Sequence, residues 1–66
     1  MYIAAETEYG DTLYWDGSSW QESPSDAESF GDFAGSYEMG KLEEDYLEEP
    51  YRRTYRGVYI VRIYEL

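Results

Sequence analysis

The residues best equipped for chemistry in this chain are its carboxylates. Glu43-Glu44-Asp45 and Glu48-Glu49 form the densest run, and Glu6, Glu8, Asp26, Glu28, Asp32 and Glu38 precede it. Paired carboxylates serve as general acid and base in glycoside hydrolysis. Nothing here singles out one pair, and so short a chain has little room for a substrate pocket of several hundred Å³. There is no glycine-rich phosphate loop, no Gly-x-Ser-x-Gly and no His-Glu-x-x-His. Histidine and cysteine are both absent, which removes the commonest general base, the commonest transition-metal ligand and every thiolate zinc site. The acid run offers Ca²⁺ only loose ligands, without the alternating positions and sixth-position glycine of an EF-hand loop. The expectation is a non-enzyme without cofactor or bound metal.

Charge is the remaining signal. The net charge is −10, with nine acids and no Lys or Arg over residues 1–40. Four of the five cations are arginines at 52, 53, 56 and 62. A field of this sign repels nucleic acid and anionic membranes, attracts basic surfaces, and costs stability through self-repulsion. Arg52, Arg53 and Arg56 with Tyr51 and Tyr55 have residue types suited to phosphates and bases. In so acidic a chain they are expected to pair with its own carboxylates and brace the run 43–49.

These groups need a scaffold, and the sequence outlines one domain over residues 1–66. Nine Tyr, two Trp and two Phe are too many aromatics for a disordered acidic tail. Gly57 to Leu66 is the only long apolar run, β-branched and aromatic, and is read as the central strand. Alternation places Val58 and Ile60 on one face and Tyr59, Val61 and Ile63 on the other. Residues 1–7 and Thr12-Leu13-Tyr14-Trp15 read as further strands. Asp16-Gly17 signals a hairpin whose return strand spans Ser18 to Gln21, with Trp15 and Trp20 packing together.

Residues 23–40 are the least determined. One short helix is expected around 32–44, with Asp32 as cap and Phe30, Phe33, Ala34 and Tyr37 covering the sheet. Met39, Leu42 and Tyr46 keep helical spacing, and Pro50 ends any helix. The fold class is therefore α+β: a small antiparallel sheet of about four strands with one short helix, the C-terminal strand central. No basic n-region or long apolar stretch marks a signal peptide or membrane span, so a cytoplasmic protein is expected.

A compact protein with separated carboxylates can enter a basic groove and exclude the nucleic acid that belongs there. Glu6 and Glu8 on one strand face stand roughly 6.6 Å apart, and Asp26, Glu28, Asp32, Glu38, Glu43, Glu44 and Asp45 continue the track. Tyr46, Glu48 and Glu49 complete the expected partner-binding set, since tyrosine supplies contact area at low entropic cost. A run of nine unopposed acids, the cluster Glu43-Glu44-Asp45-Tyr46-Leu47-Glu48-Glu49 and a chain opening at Met1 without Cys or His resemble small acidic inhibitors carried by phages and mobile elements. DNA-mimic anti-CRISPR proteins, uracil-DNA glycosylase inhibitors and anti-restriction proteins are of this kind. They share no sequence motif, so no site carries over residue by residue.

The resemblance, taken to anti-CRISPR proteins, implies a monomeric, stoichiometric inhibitor that blocks target-DNA binding by a CRISPR effector complex in the host cytoplasm. The partner is then a basic nucleic-acid-binding protein; nucleic acid itself is not bound. The arginine segment 52–56 departs from a uniformly acidic mimic and would mark the face turned away. Two rival readings stand beside this one: a small phage structural or adaptor protein binding through a Tyr-rich surface, and a salt-adapted acidic domain.

Overall fold

The computed structural model describes residues 1–66. Strands β1 (Ile3–Thr7), β2 (Thr12–Trp15) and β3 (Trp20–Gln21) are followed by a 3₁₀ turn at Pro24–Asp26. Helix α1 (Asp32–Leu47) and strand β4 (Ile60–Glu65) complete the chain. All strand pairs are antiparallel, in the order β3-β2-β1-β4. The expected α+β class, four strands and one helix are all present. The interior positions of the ladder belong to β1 and β2, whereas β4 pairs on one side only, with β1. The C-terminal strand is central to the core instead: Ile60 and Ile63 are buried with Ile3, Ala5, Leu13, Trp15, Trp20, Leu42 and Tyr46.

Simple alternation fails in β4. Thr7 opposes Ile60 while Glu6 opposes Arg62, so Val61 is an extra residue in a β-bulge. The bulge resets the phase and brings Ile60 and Ile63, expected on opposite faces, to the same one.

The run expected as strand from Gly57 begins instead with a tight turn. Tyr55 and Val58 exchange two backbone hydrogen bonds of 2.8 Å. Between them Arg56 has φ 50° and Gly57 φ 79°. Two consecutive positive φ values make a type I′ turn, which glycine adopts without steric cost. Gly57→Ala puts a Cβ on a left-handed residue and is expected to cost about 1–2 kcal/mol. A urea melt reads this as a lower midpoint at unchanged slope.

The hairpin forms around Asp16-Gly17, with Gly17 at φ 101°. Trp15 and Trp20 are register partners, their ring centroids 4.9 Å apart. Helix α1 starts one residue earlier than expected: Gly31, not Asp32, occupies the N-cap and Asp32 is the first helical residue. Its buried face carries Gly35, Leu42 and Tyr46, with Met39 half-buried between them. Phe33 and Tyr37, expected to cover the sheet, are 91% and 68% exposed. Gly35 explains the rotation. The Met1 side chain lies where a Cβ on Gly35 would stand, so the helix approaches the start of β1 through its smallest residue. The Met1 ammonium donates to the Phe30 carbonyl (2.6 Å), and the Phe30 N–H donates to the Met1 carbonyl (2.8 Å). The helix covers one face of the sheet. On the other, Tyr14 and Tyr64 flank Ala4 as register partners, and Glu6 opposes Arg62.

Candidate partner-binding surface

The outer stripe of α1 follows from the helical period. With Gly35, Leu42 and Tyr46 turned inward, residues 33, 37 and 44 share the opposite side. Phe33 and Tyr37 occupy its N-terminal half and Glu44 its C-terminal half, over roughly 16 Å of axis. Glu43 lies beside this stripe, Glu48 lies just past the helix end, and both are exposed.

The C-terminal end of this helix is electrostatically unfavourable. Its macrodipole presents partial negative charge there and favours cations. Glu43, Glu44 and Asp45 crowd this end, and the last turn holds no basic residue. The chain answers from the following segment. The Arg53 N–H donates to the Asp45 carbonyl (2.8 Å) and Arg52 Nε donates to the Tyr46 carbonyl (3.1 Å), satisfying two carbonyls that a helix end leaves unpaired. Another Arg52 nitrogen donates to the Ile60 carbonyl, so one side chain ties the helix end to β4. Its guanidinium carbon also lies 4.6 Å from the Tyr59 ring centroid. The expectation that the arginines brace the acid run holds for Arg52, paired with Glu49 (3.3 Å), and for Arg53, near Asp45 (3.9 Å). Arg56 has no carboxylate partner and lies against Tyr55.

Several expected contact residues are engaged within the chain. Glu6 pairs with Arg62 across β1 and β4 (3.5 Å). Glu8 accepts the Tyr59 N–H (2.7 Å) and lies beyond β1, so it does not continue a strand-face track with Glu6. Glu38 accepts the Trp15 indole N–H (3.0 Å), which fixes the helix to the hairpin. Asp45 and Glu49 are paired as above. Tyr46 is not a surface residue: it is 6% exposed, its ring edge-on to Trp20 at 5.8 Å. Asp26, Glu28, Asp32, Glu43, Glu44 and Glu48 remain exposed and unpaired. Twelve of the fifteen acidic side chains have no cation within pairing distance. No group of three carboxylates converges to hold a metal ion.

Phe33 was missed as a surface residue because a large aromatic is read as core. The competing face of Gly35, Met39, Leu42 and Tyr46 was the available signal, since two apolar faces on one helix cannot both cover one sheet.

Asp16 is an acid consumed by its own loop. It accepts the backbone N–H of Ser19 (2.7 Å) and Ser18 (2.8 Å) and the Gln21 side-chain amide (2.9 Å). These bonds hold its carboxyl well below the usual Asp range, the Ser19 N–H contributing most. A depressed folded-state pKa contributes stability above the unfolded value, about 3.9, and loses it as pH falls toward the folded value. Asp16→Asn is therefore expected to melt lower than the parent at pH 6, with the gap narrowing below about pH 4. Paired melts across that range check it.

No helix is long and apolar enough to cross a membrane. No protein-family model, curated protein or solved structure matches the chain.

Proposed function

We propose that this protein is a stoichiometric inhibitor acting as a nucleic-acid mimic. It occupies the basic DNA-binding groove of a bacterial defence complex, with a CRISPR effector as the favoured partner. The observation that carries the reading is the placement of the acids on α1. Glu43, Glu44 and Glu48 stand without cations at a helix end whose dipole disfavours them. Residues that break a local rule without a local gain are expected at functional sites. A Lys/Arg groove supplies the missing counter-charge. Phe33 and Tyr37 supply the apolar contact that a purely electrostatic encounter lacks.

On α1 itself five acids, Asp32 to Asp45, span about 20 Å, sparser than the one charge per about 3.4 Å of a single DNA strand. The helix alone therefore imitates a strand poorly. Asp26, Glu28 and Glu48 must contribute, and the mimicry is one of summed field rather than of phosphate spacing. The protein acts in the cytoplasm of the host cell under this reading.

The test is displacement. Basic nucleic-acid-binding complexes, led by CRISPR effectors, are loaded with labelled DNA at about 0.15 M salt. Addition of the protein is expected to release the DNA from its target, with potency falling steeply as salt rises. Failure across CRISPR effectors by a verified folded protein overturns the favoured partner.

The open sheet face around Ala4, with Tyr2, Tyr14 and Tyr64, favours a second reading: a structural or adaptor protein docking through tyrosines. It predicts an association indifferent to salt and to the charges on α1.

A further inference from the structure

A groove of about 590 Å³ lies between the hairpin and the segment after the helix, away from the outer stripe of α1. Trp20, Glu22, Asp26, Arg53, Tyr55 and Arg56 are among its lining residues. Glu22, Tyr55 and Arg56 also border an adjoining hollow of about 410 Å³. Three observations single out the larger groove. Arg56 has no carboxylate partner in a chain of net charge −10, although Glu22 and Asp26 line the same groove. Glu22 and Asp26 likewise have no cation. Trp20 is 5% exposed, and its indole N–H has no acceptor at all, unlike that of Trp15.

A buried donor without an acceptor is costly and calls for an explanation. An acceptor entering the groove supplies one. Trp20 lines the groove while its nitrogen is shut off from solvent, so contact requires a side-chain adjustment. A simple anion is the wrong ligand, because the field of the whole chain repels it and two carboxylates share the rim. A cation ignores both guanidinium groups and the indole N–H. A net-neutral molecule carrying both charges uses every group present. We infer that this groove binds a small zwitterion of the α-amino-acid class. The carboxylate is received by Arg56, Arg53 and the Trp20 N–H, the ammonium by Glu22 and Asp26, and an aromatic side chain by Tyr55. The inference is independent of the proposed inhibition.

The test uses three probes of one shape: L-phenylalanine, 3-phenylpropanoate without the ammonium, and phenethylamine without the carboxylate. The readout is the pair of tryptophan indole N–H signals in ¹⁵N-correlation spectra. Phenylalanine is expected to shift the Trp20 signal saturably at roughly millimolar concentration, as befits so small a ligand. The Trp15 signal, held by Glu38, stays in place. Each singly charged probe is expected to bind at least about tenfold more weakly. Arg56→Gln, an exposed change, weakens phenylalanine by a similar factor with the spectrum otherwise intact. No saturable shift up to about 20 mM, a singly charged probe matching phenylalanine, or an unaffected Arg56→Gln variant would each overturn the inference.

Discussion

Reversing Glu43, Glu44 and Glu48 to lysine is expected to abolish DNA displacement while making the isolated protein more stable. Both halves come from the same geometry. The three residues are exposed and unpaired, so reversal breaks no ion pair. It puts cations where the helix dipole favours them, worth about 0.3–1 kcal/mol for each one close to the last turn. It also takes the net charge from −10 to −4, since each Glu→Lys change adds two, and so relieves self-repulsion. Against a basic groove the same change replaces attraction with like-charge contact. A loss of at least about 100-fold in affinity, near 2.7 kcal/mol, follows, much of it in the association rate. Asp45 is left out of the set because its Arg53 neighbour would face a lysine. Thermal melts and competition assays on one preparation separate the effects. If displacement survives the reversal, α1 is not the contact surface. A variant that loses both displacement and fold would refute the dipole argument instead.

Leu42→Ala is expected to remove a large share of the protein's stability, whereas Phe33→Ala and Tyr37→Ala on the same helix leave stability within about 0.5 kcal/mol. Leu42 is 3% exposed and sits midway along the buried face of α1. Its truncation costs about 2–5 kcal/mol. A domain of this length commands roughly 3–10 kcal/mol in total. Phe33 and Tyr37 are bathed in solvent, and alanine has the better helix propensity. Under the mimic reading both aromatic variants weaken partner binding without touching the fold. Equal destabilisation by all three would mean that the helix is turned differently about its axis.

How much was legible in the chain depends on the range of the interactions. The hairpin was readable because Asp16-Gly17 and the two tryptophans lie within six residues, and turn chemistry is local. The helix was readable as an element but not in its rotation. Hydrophobicity ranks Phe33 and Tyr37 above Gly35, whereas close approach to Met1 rewards the absence of a side chain. The phase of β4 was missed because a period of two cannot anticipate the bulge at Val61. The turn at Arg56-Gly57 was hidden at the head of an apolar run, although Gly57 itself, a residue that accepts positive φ freely, was the available clue.

For the acids, the total and the gradient were legible in the chain but the sorting was not. Glu6 is neutralised by Arg62, and Glu38 is held by Trp15. Such partners are distant along the chain and become neighbours only once the sheet and helix have packed. Locally, Glu43, Glu44 and Asp45 are equivalent; Arg53 alone distinguishes Asp45 from the other two.

The pairing of β1 with β4 joins nearly opposite ends of the chain, Ala5 meeting Ile63. The hairpin of β2 and β3 and the helix can form from neighbouring residues, but this ladder must close a loop over almost the whole sequence. Loop closure is an entropic cost met before its contacts form. Folding should therefore be slow for so small a protein, nearer milliseconds to seconds than the microseconds of helical bundles. Core changes in β4 would then act mainly on the unfolding rate if its docking is the last step. The Arg52 side chain, reaching from the helix end to the first residue of β4, closes in that same step.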